Sequence, residues 1–97
     1  MNNIFEIIDK TGRNIKLTQK PWAHITTKHS YMTNYLDEIK ETLINPTKII
    51  PHIKGNLFDY YKYHKQGKEL KFLKVIVKYL NGDGFVLSAY FVQQINQ

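Results

Sequence analysis

The segment from Glu69 to Val92, ELKFLKVIVKYLNGDGFVLSAYFV, limits the fold of this chain more than any other stretch. Two runs rich in β-branched and aromatic residues flank NGDG, a dense cluster of turn-forming residues, and so read as an antiparallel hairpin. Alternation then assigns the faces. In the first strand Leu73, Val75, Val77 and Tyr79 share one side, while Phe72, Lys74, Ile76 and Lys78 share the other. Two lysines on one side mark it as open to solvent. In the second strand Phe85, Leu87, Ala89 and Phe91 form one set, and Val86, Ser88, Tyr90 and Val92 the other. A three-residue loop at GDG places Ser88 and Tyr90 beside Lys74 and Lys78; a two- or four-residue loop reverses the alignment. The three-residue loop is the expectation, because it unites the polar groups on the open face.

Upstream, LFDYYKYH before KQGK reads as a further strand, and TKIIPHI as a short one that Pro51 confines to an edge or a bulge. IFEIID and NIKLT flank DKTGR, where Gly12 suits a positive φ, and read as a small N-terminal hairpin. Pro21 in QKPW breaks any strand. From Ser30 to Leu43 the apolar residues Met32, Tyr35, Leu36, Ile39 and Leu43 follow helical spacing, with Ser30 as cap and Asn45-Pro46 as stop. The expected fold is α+β: an N-terminal β-hairpin and one main helix packed on a four-stranded antiparallel meander sheet. Residues 1–97 form one domain, since two cores from 97 residues would each be too small to hold.

The chain has no cysteine, which excludes a disulfide framework and a thiolate metal site. His24 and His29 have no carboxylate near them between Asp9 and Asp37, and no HExxH pattern occurs, so neither metal nor cofactor is expected. There is no signal-peptide pattern and no apolar run of membrane-spanning length, so a cytoplasmic protein without a membrane partner is expected. The formal charge is +6, from 14 bases and 8 acids. Residues 1–41 hold 6 bases and 5 acids, and residues 42–97 hold 8 and 3, so +5 of the excess lies in the C-terminal part. There it is interleaved with aromatics in FDYYKYHKQGKELKFLK, which favours a polyanion, nucleic acid first among them. The bland alternative is a lysine-rich surface that serves solubility. The remaining histidine, lysine, tyrosine and serine side chains suit metal-independent RNA cleavage. Histidine can move protons to and from the 2′-OH and 5′-oxygen, and lysine can stabilise the extra charge on phosphorus.

The order KPWAHITTKHSYMTNYLDEIKETLINPTKI, YYKYH, LKFLKVIVKYL, GFVLSAYFV resembles the phage- and toxin-associated branch of the barnase/EndoU/colicin/RelE-like ribonuclease superfamily over roughly residues 21–92. The resemblance implies a small RNA-directed, toxin-like nuclease of phage or virus type, with its site on the open face of an antiparallel sheet. It also implies the residues. His24 matches the family histidine, and Lys28 followed by His29 stands where an arginine–histidine pair is usual. Tyr61 and Lys62 match a tyrosine–base pair, Ser88 stands for the usual threonine, and Tyr90 matches the terminal tyrosine. Lysine lacks the bidentate fork of arginine, whereas serine keeps the hydroxyl. The expected catalytic set is therefore His24, Lys28, His29, Ser88 and Tyr90, with Tyr61, Lys62, Lys74 and Lys78 binding nucleic acid. Two alternatives stay open: a non-catalytic RNA- or DNA-binding module of the same fold, and a protein-interaction domain that homodimerises through a strand edge. An inhibitor protein is a further open partner. Trp22 reads as core, and His52 and His64 as structural.

Overall fold

A computed structural model describes residues 3–53, 55–66 and 69–95. The order of elements is β1 (Phe5–Ile8), β2 (Asn14–Leu17), α1 (Gln19–Lys28), a 3-10 turn (Ser30–Asn34), α2 (Leu36–Ile44), β3 (Lys48–Pro51), β4 (Leu57–Gln66), β5 (Glu69–Leu80) and β6 (Asp83–Val92). The turn expected at KQGK lies outside the described residues at Gly67 and Lys68. The class is α+β, and no helix among the described residues is long and apolar enough to cross a membrane.

The sheet corrects the expected four-stranded antiparallel meander. It has six strands in the order β1-β2-β6-β5-β4-β3, and β2 runs parallel to β6 while every other pair is antiparallel. The N-terminal hairpin forms, but it extends the sheet instead of standing apart. Gly84 permits this: it pairs with Ile15, and a Cβ at position 84 would run into Ile15 Cδ1.

The single helix expected over residues 30–43 is also corrected. The backbone leaves helical geometry at His29 (φ −129°, ψ 77°) and Tyr35 (φ −118°, ψ 25°), dividing the region into a 3-10 turn and α2. The apolar spacing keeps its meaning, because Met32, Ile39 and Leu43 are all buried. A second helix, α1, occupies the stretch where Pro21 argued only against a strand. Proline is tolerated there because it falls in the first turn, whose N–H groups have no intrahelical acceptor.

The helices share one core with one face of the sheet. Ile25, Met32, Ile39 and Leu43 pack with Ile15, Leu17, Tyr60, Leu73, Val75, Val77, Val86 and Ala89. Each such aliphatic side chain contributes about 1.5–3 kcal/mol by leaving water. Residues of the opposite sheet face do not belong to this cluster.

The β5–β6 turn differs from the three-residue loop expected. Leu80 pairs with Asp83 across a two-residue turn, Asn81-Gly82, in which both residues have positive φ (55° and 86°). That geometry matches the right-handed twist of the strands. Alone it would send Ser88 and Tyr90 into the core. The register shifts between Ile76 and Val77, however, leaving Leu87 as an extra, exposed residue. This bulge returns Ser88 opposite Ile76 and Tyr90 opposite Lys74, on the open face.

Candidate functional site

The open face is ordered in rows, because cross-strand neighbours on one side of a sheet stand next to each other. Lys48, Tyr61, Lys74 and Tyr90 are successive partners across β3, β4, β5 and β6, giving a Lys–Tyr–Lys–Tyr row. The Lys74 ammonium lies 5.8 Å from the centre of the Tyr61 ring and 5.6 Å from that of Tyr90. Both distances suit a cation–π contact. His29, the first residue after α1, stacks on Tyr90 with ring centres 5.1 Å apart and planes 26° apart.

Further rows flank this one. Toward the β4–β5 turn, Tyr63 pairs with Phe72, their rings edge-on at 6.0 Å, and Phe72 pairs with Val92. On the other side Asp59, Ile76 and Ser88 are neighbours. Beyond them Lys78 pairs with Phe85, and Lys16 of β2 places its ammonium 5.8 Å from the Phe85 ring. Lys16, Lys48, Lys74 and Lys78 thus share a face with five aromatic rings.

One carboxylate organises the middle. Asp59 is buried, with His52 Nε2 at 2.7 Å from Oδ1 and Lys74 Nζ at 3.7 Å from Oδ2. Burial alone would lower the pKa of Lys74. The Asp59 charge, and then the Tyr90 and Tyr61 hydroxyls, outweigh it and hold the ammonium above its ordinary value. The Tyr61 hydroxyl is fully buried and has no hydrogen-bond partner among the described residues. Such orphaned groups are uncommon in folded proteins.

The structure brings together His29, Ser88, Tyr90, Tyr61, Lys74 and Lys78 from the expected set. It separates the other three. His24 and Lys28, one turn apart on α1, are both exposed, and the side chain of neither makes a hydrogen bond, ion pair or ring contact among the described residues. Lys62 is on the helix side of the sheet, where Nζ donates to the Asn45 carbonyl at 2.8 Å and so closes the C-terminal end of α2. His24, Lys62 and Ser88 therefore occupy three different surfaces.

Sequence reasoning missed Lys16, Lys48, Asp59 and His52. Asp59 shares the parity of Tyr61, which is a usable signal. Lys16 needed the parallel β2–β6 pairing, and His52 was set aside as a residue of a proline-broken strand. No group of three or more His, Asp and Glu side chains that could hold a metal ion stands among the described residues. Compared with protein-family models, curated proteins and solved structures, the chain matches none.

Proposed function

We propose that this chain binds single-stranded polynucleotide, RNA in the first instance, on the open sheet face. The Lys48–Tyr61–Lys74–Tyr90 row carries the reading. Lysines supply the sequence-independent attraction to phosphates, and the exposed or half-buried rings of Tyr63, Phe72, Phe85 and Tyr90 give stacking surface to unpaired bases, whereas Tyr61 is buried. The positive formal charge of +6 adds long-range attraction. Fluorescence anisotropy with a short unstructured RNA tests this. The affinity falls linearly with salt on logarithmic axes, by roughly 0.7 per phosphate contact with a single strand. Lys74→Ala combined with Lys78→Ala flattens that slope. Salt-independent binding, or none, sinks the reading.

One observation favours a second reading, cleavage by 2′-OH attack: the His29 imidazole stacks on Tyr90 beside Lys74. Proton transfer then belongs to His29 and not to His24. Incubation with RNA in EDTA yields 2′,3′-cyclic phosphate ends, His29→Ala abolishes them, and His24→Ala leaves them unchanged. Binding without those ends leaves the module alone standing.

A further inference from the structure

Asp59 gives one carboxylate oxygen to a lysine and the other to a histidine, and the histidine is the most exposed of the three. His52 follows Pro51 at the end of β3, and its backbone N–H donates to the Leu57 carbonyl at 2.9 Å. It therefore extends the β3–β4 ladder by one residue. Two positions on from Ile50, it keeps the side of Lys48 and Ile50, which is the open face. Leu57 pairs with Lys78, so the imidazole stands at the start of the row that holds Lys78 and Phe85. Its side chain is 35% exposed, enough for a ligand on that face to reach it.

The carboxylate fixes what each ring nitrogen does. An ionised carboxylate only accepts hydrogen bonds, so Nε2, 2.7 Å from Asp59 Oδ1, carries the proton of the neutral ring. Nδ1 is then the acceptor nitrogen, and it has no partner among the described residues. A lone pair there repels phosphate oxygens, whereas a proton there donates to them. Histidine changes charge between about pH 5 and 8, so the same edge of one ring can do either. Charge acts in the same direction. The charged and titratable side chains around His52 on this face are Lys48 of β3, Asp59 and Tyr61 of β4, Lys74 and Lys78 of β5, and Tyr90 of β6. Asp59 is the one carboxylate in that group. With His52 neutral, the Asp59 charge offsets that of Lys74, 3.7 Å away; a proton on His52 brings the three side chains from zero to +1.

We infer that His52 is a proton-dependent phosphate contact of the open face: protonated, it donates from Nδ1 to a phosphate oxygen of the bound strand, and neutral, it withdraws that contact. The inference rests on the polynucleotide reading and adds to it a pH range and the residue that sets it.

Salt titrations of the full chain with an oligouridylate lacking terminal phosphates, at pH 8 and pH 5.5, test it, since that probe keeps its charge across the range. Glutamine at position 52 keeps a donor for Asp59 and does not titrate. One phosphate contact on a single strand is worth about 0.7 in the salt slope, or roughly fourfold in affinity at 0.15 M salt. His52→Gln should bind like the wild type at pH 8. At pH 5.5 it should bind roughly fourfold more weakly, with a slope shallower by about 0.7. His29 lies on the same face and adds a pH dependence of its own, so the loss from His52→Gln should persist in a His29→Gln background. Imidazole ¹⁵N shifts at pH 8 should show Nε2 as the protonated nitrogen of His52. Native amide dispersion at both pH values establishes that each variant is folded. Equal loss at both pH values, no loss at either, or the opposite tautomer overturns this inference and leaves the polynucleotide reading in place. Salt-independent binding, or none, at both pH values overturns the two together.

Discussion

Two buried aspartates face opposite fates in this molecule. Asp9 and Asp59 are 6% and 7% exposed, yet they keep different company. Asp9 accepts from the Thr11 backbone N–H at 2.9 Å, the Thr11 hydroxyl at 2.7 Å, the Arg13 N–H at 2.9 Å and the Tyr60 hydroxyl. Tyr60 in turn bonds Tyr79, over whose ring the Arg13 guanidinium lies at 3.9 Å. All four of these donors are neutral and two are backbone, so the carboxylate ties the β1–β2 turn to β4 and, through Tyr60, to β5. Asp59 is held instead by the titratable side chains of His52 and Lys74, on a face that no core cluster covers. The same residue at the same burial serves as a fastener in one place and as part of an exchangeable charge network in the other.

Removing the fastener should have the larger effect on folding. Asp9→Ala removes the acceptor of two backbone amides and leaves the Tyr60 hydroxyl with Tyr79 alone, and should cost about 3 kcal/mol in a urea titration. RNA affinity should not change under conditions where the variant is folded. Loss of affinity at full folding would mean that the two networks are coupled.

Lys74→Met reverses the balance. Asp59 keeps His52, so stability should fall by only about 1 kcal/mol. RNA binding should weaken about tenfold and its salt slope should become shallower by about 0.7, one phosphate contact on a single strand. A large stability loss with unchanged binding would make Asp59 a second fastener.

Alkali should weaken both networks. The pKa of Tyr60 is raised above its ordinary 10.0, first by burial and then by bonds to Asp9 and Tyr79, and that of Lys74 above 10.5 by Asp59 against its own burial. A raised folded value stabilises fully below the unfolded value, and that stability is lost as pH rises toward the folded value. Stability should thus hold through neutral pH and fall above about pH 10. Tyr60→Phe and Lys74→Met should each flatten part of that fall in a pH-dependent melting series.

Tyr61→Phe removes a buried hydroxyl that has no partner among the described residues, and should raise stability by up to about 1 kcal/mol. A drop would reveal a bond formed in solution. His24→Ala, on the exposed side of α1, should move neither stability nor RNA affinity beyond about 0.5 kcal/mol.

Legibility followed the range of the forces involved. The two faces of β5 could be read directly, because alternation is local and its lysines marked the open side. The burial of Met32, Ile39 and Leu43 was legible for the same reason, even though the backbone breaks at Tyr35. The pairing of His29, Ser88 and Tyr90 with Lys74 was legible in outcome but not in route. It depends on a two-residue turn and a bulge at Leu87, whose parity effects cancel.

The sequence by itself determined which side chains of β5 share a face, where positive charge and aromatics concentrate, and that the class is α+β. These follow from periodicity and composition over a few residues. Only the tertiary structure decided that β2 lies against β6, that His24 faces solvent while His29 reaches Tyr90, and that Lys62 closes a helix instead of joining Tyr61. Each depends on a contact between segments far apart in sequence, such as Ile15 with Gly84 or Lys62 with Asn45, and no local pattern encodes the register that brings them together.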